Sequence, residues 1–284
     1  MTLIDIKHLQ SWIGKTETLD DIAALAPLRG LTATLDRDDP LTKAGDAIPP
    51  CWHWLYFLPA ARQSGIGPDG HPERGGFLPP VPLPRRMWAG SRIGCFAPLR
   101  VGQSIERTSR IDDVRLKEGK TGPLVFVKVR HEIRGDGELA IVDEHDIVYR
   151  GAPAPDDTAS TYTFAPEGAE WMRVVVPDDV LLFRYSALTF NAHRIHYDRR
   201  YATEVEGYPG LVVHGPLIAT LLLDLLRRER PNGVVTQFAF RAMKPLFDIA
   251  PFTVCGRMTD ANTASLWARD AAGHLAMDAT ATLA

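Results

Sequence analysis

The sequence predicts an α+β fold in which two antiparallel sheets each curve around one central apolar helix. Residues 217–226 are apolar on nearly every side, so a helix there must be enclosed by other elements. Residues 123–133 and 263–271 alternate apolar and polar side chains, which is typical of strands with one buried face. The same order of elements, a helix followed by strands, occurs once in each half of the chain.

The helix candidate of the first half is PPCWHWLYFLPAA, residues 49–61, and that of the second is HGPLIATLLLDLLRRER, residues 214–230. Strand candidates follow both. The corner after the first strand also repeats, because residues 95–111 align with residues 242–258. The aligned pairs include Pro98 with Pro245, Leu99 with Leu246 and Arg110 with Arg257.

The last strand of each half repeats as well, residues 138–150 resembling residues 274–284. Residues 151–170 are rich in Pro, Ala, Ser, Thr and Asp, which predicts a linker. We therefore divide the chain into a first unit, 1–150, and a second unit, 171–284. Antiparallel strands wrapped around one buried helix form a hotdog, so the chain is predicted to be a double hotdog.

Composition excludes several classes of function. The 284 residues carry a formal net charge of -3 without a dense basic cluster, so no nucleic-acid partner is expected. The three cysteines, Cys51, Cys95 and Cys255, are odd in number and have no metal-ligand spacing, which favours reduced thiols in the cytoplasm. No apolar run approaches the roughly 18 residues of a membrane span, and the N-terminal residues lack a signal-peptide pattern.

Residues 64–90 are dense in glycine and proline and too long for a plain connector. One interpretation is a mobile surface loop. The other is a flap over a functional site, anchored by Phe77 and Trp88. In that case its arginines would face a ligand: Arg85, Arg86 and Arg92.

The segment SALTFNAHRIHYD, residues 186–198, resembles the hydratase motif of the MaoC-like, (R)-specific enoyl-CoA hydratases. The Ile-His-x-Asp end of that motif falls on residues 195–198. The chain from His214 onward is similar to the His-Gly start of the family's central helix. PLPRRMWAGSRI, residues 82–93, resembles a subfamily whose first half is a degenerate, dehydratase-like hotdog, so the likeness spans nearly the whole chain.

The resemblance implies a hydratase that converts itaconyl-CoA or mesaconyl-C4-CoA, short branched dicarboxylic enoyl-CoAs, to citramalyl-CoA. Three positions depart from the family motif. Where the family has aspartate five residues before the motif histidine, this chain has Asn191, and His193 and Arg194 stand where the family has asparagine and proline. The resemblance further implies that the asparagine form is a feature of this branch.

Hydration of an unsaturated thioester needs a group that takes a proton from water and a group that stabilises charge on the thioester oxygen. His196 suits the first role, because imidazole titrates near neutral pH, and Asn191 can orient the water. Gly215 begins a helix, and its backbone N–H is the candidate oxyanion donor. The alternatives are a purely structural histidine and a glycine that only permits the helix to start.

The other polar residues of the motif are assigned to the pocket or to local structure. His193 and His196 have a spacing that also fits zinc, but a third ligand with supporting spacing is missing, so no metal is expected. His193, Ser186 and His214 are therefore candidates for substrate binding. Asp198 is expected to cap the following helical turn.

Four arginines crowd the motif region: Arg184, Arg194, Arg199 and Arg200. A guanidinium group matches phosphate and carboxylate oxygens in pairs, so it suits CoA phosphates or a distal carboxylate of the acyl group. Arg194 is the first candidate for that carboxylate because it lies between the two motif histidines. Arg184, together with Arg86 and Trp88 of the predicted flap, completes the candidate substrate-binding set.

These inferences predict a cytoplasmic acyl-CoA hydratase or dehydratase, a hydro-lyase without metal or redox cofactor, in which CoA is part of the substrate. Hotdog domains usually pair their sheets, so a homodimer or larger homo-oligomer is expected. Three alternatives remain open: a 3-hydroxyacyl-thioester dehydratase of broader specificity, a hotdog thioesterase, and a non-catalytic acyl-CoA-binding protein.

Overall fold

A computed structural model describes residues 4–39, 42–119, 122–151 and 162–284. Its strands are Thr16–Ile22 (β1), Arg85–Cys95 (β2), Ser104–Gly119 (β3), Gly122–Gly135 (β4), Glu138–Arg150 (β5), Trp171–Val175 (β6), Val235–Ala242 (β7), Phe252–Met258 (β8), Thr263–Arg269 (β9) and Leu275–Leu283 (β10). Its α-helices are Ile6–Gln10 (α1), Leu25–Thr34 (α2), Asp179–Leu188 (α3) and Gly215–Glu229 (α4).

These strands form one ten-stranded sheet in the order β1-β3-β4-β5-β2-β7-β10-β9-β8-β6, with every neighbouring pair antiparallel. Each half contributes five strands in the same relative order. At the centre Arg92 of β2 lies opposite Ala239 of β7. These two residues are separated by the same number of positions as Pro98 and Pro245, which the internal repeat aligns. The two halves therefore pair through equivalent residues of the repeat. The predicted α+β double hotdog is confirmed, with its two sheets joined edge to edge.

Helix α4 is the central helix of the second half. It begins at Gly215 with proline at its first turn, and all ten residues from 217 to 226 are buried. Four strands of its own half surround it: β6, β8, β9 and β10. Full burial of one leucine stabilises the fold by about 1.5–3 kcal/mol, so this helix anchors the largest apolar core.

The prediction of a matching helix at 49–61 is wrong. The segment occupies the place in the first half that α4 occupies in the second. An equivalent isolated β-bridge precedes each of them, between Ala47 and Arg100 in the first half and between Val212 and Phe247 in the second. However, the segment forms only a 3₁₀ turn, Trp52–Leu55. Prolines bound it closely on both sides, and one residue at each end of the turn, Cys51 and Phe57, has positive φ. Its large apolar side chains are nevertheless buried in the shared core: Trp52, Leu55, Tyr56 and Phe57.

The predicted flap, 64–90, is in part a strand, because residues 85–90 belong to β2. The remaining loop is packed against the first half. Phe77 contacts a second apolar core, and the Arg74 guanidinium donates to three carbonyls farther along the loop, which closes it on itself. The second core consists of Leu9, Val81, Leu83, Ile111, Val114, Val125, Val127, Val129 and Tyr149.

Part of the predicted linker, 152–161, lies outside the described residues. The part that follows is tied to the second half, since Phe164 bridges His274 and the Glu170 N–H donates to Gly256 O at 2.9 Å. Within the described ranges, none of the helices combines the length and the apolar character that crossing a membrane requires.

Candidate active site

The hydratase-like motif, residues 186–198, folds as the end of α3, a sharp turn and the 3₁₀ turn Arg194–His196. The Asn191 N–H donates to Ser186 O at 2.8 Å, so the chain reverses directly after α3. Asn191 Oδ1 then accepts the His193 N–H at 3.0 Å, which forms an Asx turn. These backbone contacts set the directions of both motif histidines.

His196 is held in one tautomer. Its Nδ1 lies 2.7 Å from Val212 O, which can only accept, so Nδ1 carries the proton and Nε2 keeps a free lone pair. The residue is 8% exposed. Burial lowers the pKa of His196 to about 4, so the imidazole is neutral at physiological pH. A neutral imidazole with a free nitrogen is the form that a general base requires.

His214, directly before α4, stacks on His196 with 3.7 Å between ring centroids and 18° between ring planes. Its Nε2 lies 2.8 Å from Ser186 Oγ, and its Nδ1 is buried without a hydrogen-bond partner in the described structure. Burial lowers the pKa of His214 well below its usual range. Ser186 and His214 thus form a buried pair that supports the His196 ring.

His193 extends the row of imidazoles on the other side. Its ring lies 5.4 Å from that of His196 and 4.0 Å from that of His71. Burial and then the neighbouring imidazoles lower the pKa of His193 to about 2. Four neutral histidines therefore line one wall of the site: His71, His193, His196 and His214.

His71 comes from the first-half loop, and sequence reasoning missed it. Its Nδ1 lies 3.0 Å from Asp69 Oδ2, and its N–H donates to Asp69 Oδ1 at 3.0 Å. Between them, Gly70 has φ of 90°, and a Cβ there would lie 1.8 Å from Ala192 O, so the loop packs flush against the motif. The available signal was the Asp-Gly turn followed at once by a histidine, within GPDGH at 67–71.

A candidate ligand set for a metal ion occurs at this contact. One ligand atom each from Asp69, His71 and His193 lies within 4.8 Å of the others. Burial alone would raise the pKa of Asp69, but hydrogen bonds from His71 lower it below its usual range. Both Asp69 oxygens already accept these hydrogen bonds, so the carboxylate has fewer lone pairs left for a metal.

Gly215 lies at the start of α4, where backbone N–H groups lack intrahelical partners. Its N–H makes no hydrogen bond within the described part of the chain. A Cβ at this position would meet only the Trp88 carbonyl oxygen, at 4.0 Å. The Trp88 ring packs on His145 with centroids 4.0 Å apart, so β2 forms the first-half wall of the site.

Arg194 is engaged with protein groups. Its guanidinium donates to Asp198 Oδ2 at 2.7 and 3.0 Å and to Pro68 O at 3.0 Å. Its backbone N–H donates to Asp69 O at 2.9 Å. Arg194 therefore fastens the loop to the motif, and its contact with substrate stays a prediction. Asp198 Oδ1 accepts the Tyr201 N–H at 3.0 Å, which confirms the predicted cap.

Most other arginines of the candidate set also have acidic partners. Arg85 pairs with Glu206, Arg92 with Glu144 and Asp146, Arg199 with Asp248 and Arg200 with Glu204. Arg184 lies exposed on α3, away from these contacts. Arg86 is different, because it is half-buried on β2 opposite Tyr149 and makes no ion pair with any described residue.

The comparisons with known proteins agree with this geometry. The profile of the family described as Htd2, hydroxyacyl-thioester dehydratase type 2, matches residues 51–248, more than half of the chain. The chain belongs to this family. It is 48% identical over 273 residues to the mesaconyl-C(4)-CoA hydratase of Chloroflexus aurantiacus, covering 96% of this chain and 97% of that protein.

The chain is also 27% identical over 279 residues to the mitochondrial hydroxyacyl-thioester dehydratase type 2 of Schizosaccharomyces pombe, with 88% of this chain and 91% of that protein covered. Among solved structures, a MaoC-like dehydratase has a TM-score of 0.72 at 14% identity, covering 97% of this chain and 99% of its own. A Mycobacterium tuberculosis protein described as a double hotdog has a TM-score of 0.61 at 14% identity, with 96% of each chain covered.

Membership in the Htd2 family confirms the resemblance drawn from residues 186–198 and the enzyme class, hydratase or dehydratase. The candidate site of this family member lies mainly in the second half, around His196 and the start of α4. The first half adds β2 and the loop that carries His71.

Proposed function

We propose that this Htd2 family member hydrates a short branched dicarboxylic enoyl-CoA, mesaconyl-C4-CoA or itaconyl-CoA, to citramalyl-CoA. The observation that carries the proposal is the neutral His196, whose Nε2 is free beside the unpaired N–H groups at the start of α4. The relative named mesaconyl-C(4)-CoA hydratase, which matches nearly the whole chain, supports the choice of substrate.

With mesaconyl-C4-CoA as substrate, whose double bond is conjugated with the thioester, His196 Nε2 takes a proton from water while the water oxygen bonds to the β-carbon. The electron pair of the double bond moves toward the thioester carbonyl. The His196 imidazolium then returns the proton to the α-carbon, so one base serves both steps. The hydrogen bond from Nδ1 to Val212 O holds the ring in the required orientation throughout.

The negative charge that develops on the thioester oxygen is assigned to the Gly215 N–H. This donor lies at the positive end of the α4 dipole, and it has no competing acceptor in the described structure. The open space around the Gly215 Cα allows a thioester to approach the backbone closely.

Asn191 is proposed to orient the attacking water. Its Oδ1 already accepts the His193 N–H, so one lone pair and the NH₂ group remain available. The variant Asn191→Asp distinguishes a role of the side-chain oxygen from a role of the NH₂ group. Substantial activity in this variant indicates that the oxygen accepts from water, and near-complete loss indicates that the NH₂ group donates to the substrate.

The test of the function is the loss of enoyl-thioester absorbance with mesaconyl-C4-CoA as substrate. His196→Gln should lower kcat by about 10²- to 10⁴-fold, the range for removal of a general base. His131→Gln is the matched control, because His131 is a half-buried histidine of the first half that is bonded to Ser109. Its kcat should stay of the same order as that of the unmodified enzyme.

Unchanged turnover in His196→Gln would contradict the mechanism. The same assay tests the alternatives: release of free CoA thiol without hydration would indicate a thioesterase, and binding without turnover would indicate an acyl-CoA-binding protein. Faster turnover of unbranched 3-hydroxyacyl-CoA would indicate a dehydratase of broader specificity.

The proposal includes a cytoplasmic homodimer that needs no metal or redox cofactor. Apolar side chains exposed on the edge strand β6 and on α3 support self-association: Met172, Val174, Val180 and Phe183. Light scattering after gel filtration tests the dimer. Exhaustive dialysis against a chelator tests whether a metal is required, and full activity is expected afterwards.

A further inference from the structure

Arg86 differs from its neighbouring arginines on β2. It lies half-buried on β2 and makes no ion pair with any described residue, whereas Arg85 and Arg92 on the same strand both have acidic partners. Charged side chains that leave water normally gain a partner of opposite charge. A half-buried guanidinium without one is therefore suited to receive an anion from outside the chain.

Tyr149 provides a second, independent observation at the same place. It is directly opposite Arg86 in the β2–β5 pairing, is 0% exposed, and its hydroxyl is buried without a hydrogen-bond partner in the described structure. Burial raises the pKa of Tyr149, so the hydroxyl keeps its proton. A buried, unpartnered O–H beside a guanidinium can complete the recognition of one oxyanion.

Arg86 lies two residues before Trp88 on β2, and the Trp88 carbonyl oxygen borders Gly215, so the pair lies next to the reacting groups. The charge of Arg86 acts on both His71 and His193, the two imidazoles that continue the row from His196. The Arg74 guanidinium also acts on His71, but it already donates to three backbone carbonyls of the loop. Arg86 is therefore the guanidinium better suited to bind an anion here.

We propose that Arg86, with the Tyr149 hydroxyl, binds the distal carboxylate of the substrate and selects dicarboxylic over monocarboxylic acyl groups. This inference rests on the proposed function. In mesaconyl-C4-CoA the free carboxylate is attached to the β-carbon, the atom that water attacks. The residue that binds this carboxylate must therefore lie beside the group that delivers the water. That is where the first-half strand β2 meets the histidine row.

The experiment compares kcat/KM for mesaconyl-C4-CoA and 3-methylcrotonyl-CoA, in which a methyl group replaces the carboxylate. The ratio of the two values is measured in the unmodified enzyme and in each variant, so that the intrinsic reactivity of the two substrates cancels. Arg86→Gln should reduce the ratio by about 10- to 150-fold, the effect of losing a charge-assisted hydrogen-bond pair. Arg86→Lys keeps the charge without the paired geometry and should reduce it less.

Arg115→Gln is the control, since this arginine is exposed on the outer face of the same half-sheet and should leave the ratio unchanged. Tyr149→Phe, which removes only the hydroxyl, should lower the ratio by a smaller factor than Arg86→Gln. If Arg86→Gln fails to fold, the Arg86→Lys and Tyr149→Phe ratios decide the question.

An unchanged ratio in Arg86→Gln, or a ratio that collapses in Arg194→Gln instead, would overturn the assignment of Arg86. Either result would leave the hydratase itself intact. An unmodified enzyme that turns over neither of these substrates nor itaconyl-CoA would instead reject the proposed function, so the two failures are distinguishable.

Discussion

The two halves of the sheet share a topology but differ in what covers their concave faces. The second half is covered by α4, and the strand beneath carries small side chains such as Ala279 and Ala281, both buried. At the positions equivalent to these alanines the first half has Asp143 and His145. A helix lying on a sheet requires small residues below it, and where the helix is lost, larger polar side chains occupy the space.

Those polar side chains form a buried cluster in the first half. Asp143 Oδ2 accepts hydrogen bonds from Trp54 Nε1 at 2.9 Å, His145 Nε2 at 2.8 Å and His53 Nε2 at 3.2 Å. Burial alone would raise the pKa of Asp143, but the charge and hydrogen bond of His145 lower it well below its usual range. One half thus retains an apolar helix and the reacting groups, while the other has a polar interior and the wall that faces the substrate.

The largest expected difference between the halves is in core packing. Leu222→Ala, in α4, and Leu55→Ala, in the 3₁₀ turn, each remove a buried side chain, and such changes cost about 2–5 kcal/mol. We expect about 4 kcal/mol for Leu222, because a regular helix held by four strands cannot collapse into the gap, and about 2 kcal/mol for Leu55. Denaturant unfolding measures both. Equal losses would mean that the irregular segment is as rigid as the helix.

Acid should act first around the buried histidines. Burial lowers the pKa of His196 to about 4 and that of His193 to about 2, whereas an unfolded imidazole titrates near 6.5. Between these values the unfolded state binds more protons, so stability falls as pH drops from about 6.5 toward 4, by about 3 kcal/mol for His196 alone.

Hydrogen exchange at pH 7 and pH 5 locates this effect. Exchange should accelerate more in α3, at the start of α4 and in β4 near His131, where burial also lowers the histidine pKa, than in β8 and β9. His196→Gln should remove part of the acid sensitivity. A uniform acceleration across the sheet would contradict the assignment to the histidine row.

The smallest expected effect concerns the loop that links the halves. Gly70 and Gly75 both have positive φ, so alanine at either position costs about 1–2 kcal/mol in backbone strain. Only at Gly70 would the new Cβ meet the motif, 1.8 Å from Ala192 O, whereas at Gly75 the nearest atom lies 3.7 Å away. Gly70→Ala should therefore lower kcat/KM by about tenfold through displacement of His71, with little change in Gly75→Ala. Comparable kcat/KM losses in both variants would show that the loss does not come from a disturbed contact between the loop and the motif.

Much of the fold follows from local pattern. Strand alternation, the apolar run that becomes α4, and the internal repeat are properties of short segments, and the structure reproduces them. The 49–61 segment shows the limit of such reasoning. Its composition matches a buried helix, but proline positions and positive φ values at Cys51 and Phe57 give a 3₁₀ turn whose side chains are buried all the same. Burial is decided by hydrophobicity, whereas regular structure also depends on backbone geometry.

The candidate site also divides into features that the sequence predicted and features that only the structure showed. By itself the sequence identified the motif around His196, the start of α4 at Gly215 and the cap at Asp198, because these groups are close in the chain and their chemistry is local. Only the tertiary structure showed that Arg194 is occupied by Asp198 and Pro68, that His71 lies against His193, and that Arg86 makes no ion pair with any described residue. The partners of a charged side chain are set by strand pairing and loop docking between residues far apart in sequence, and the order of residues does not specify those distances.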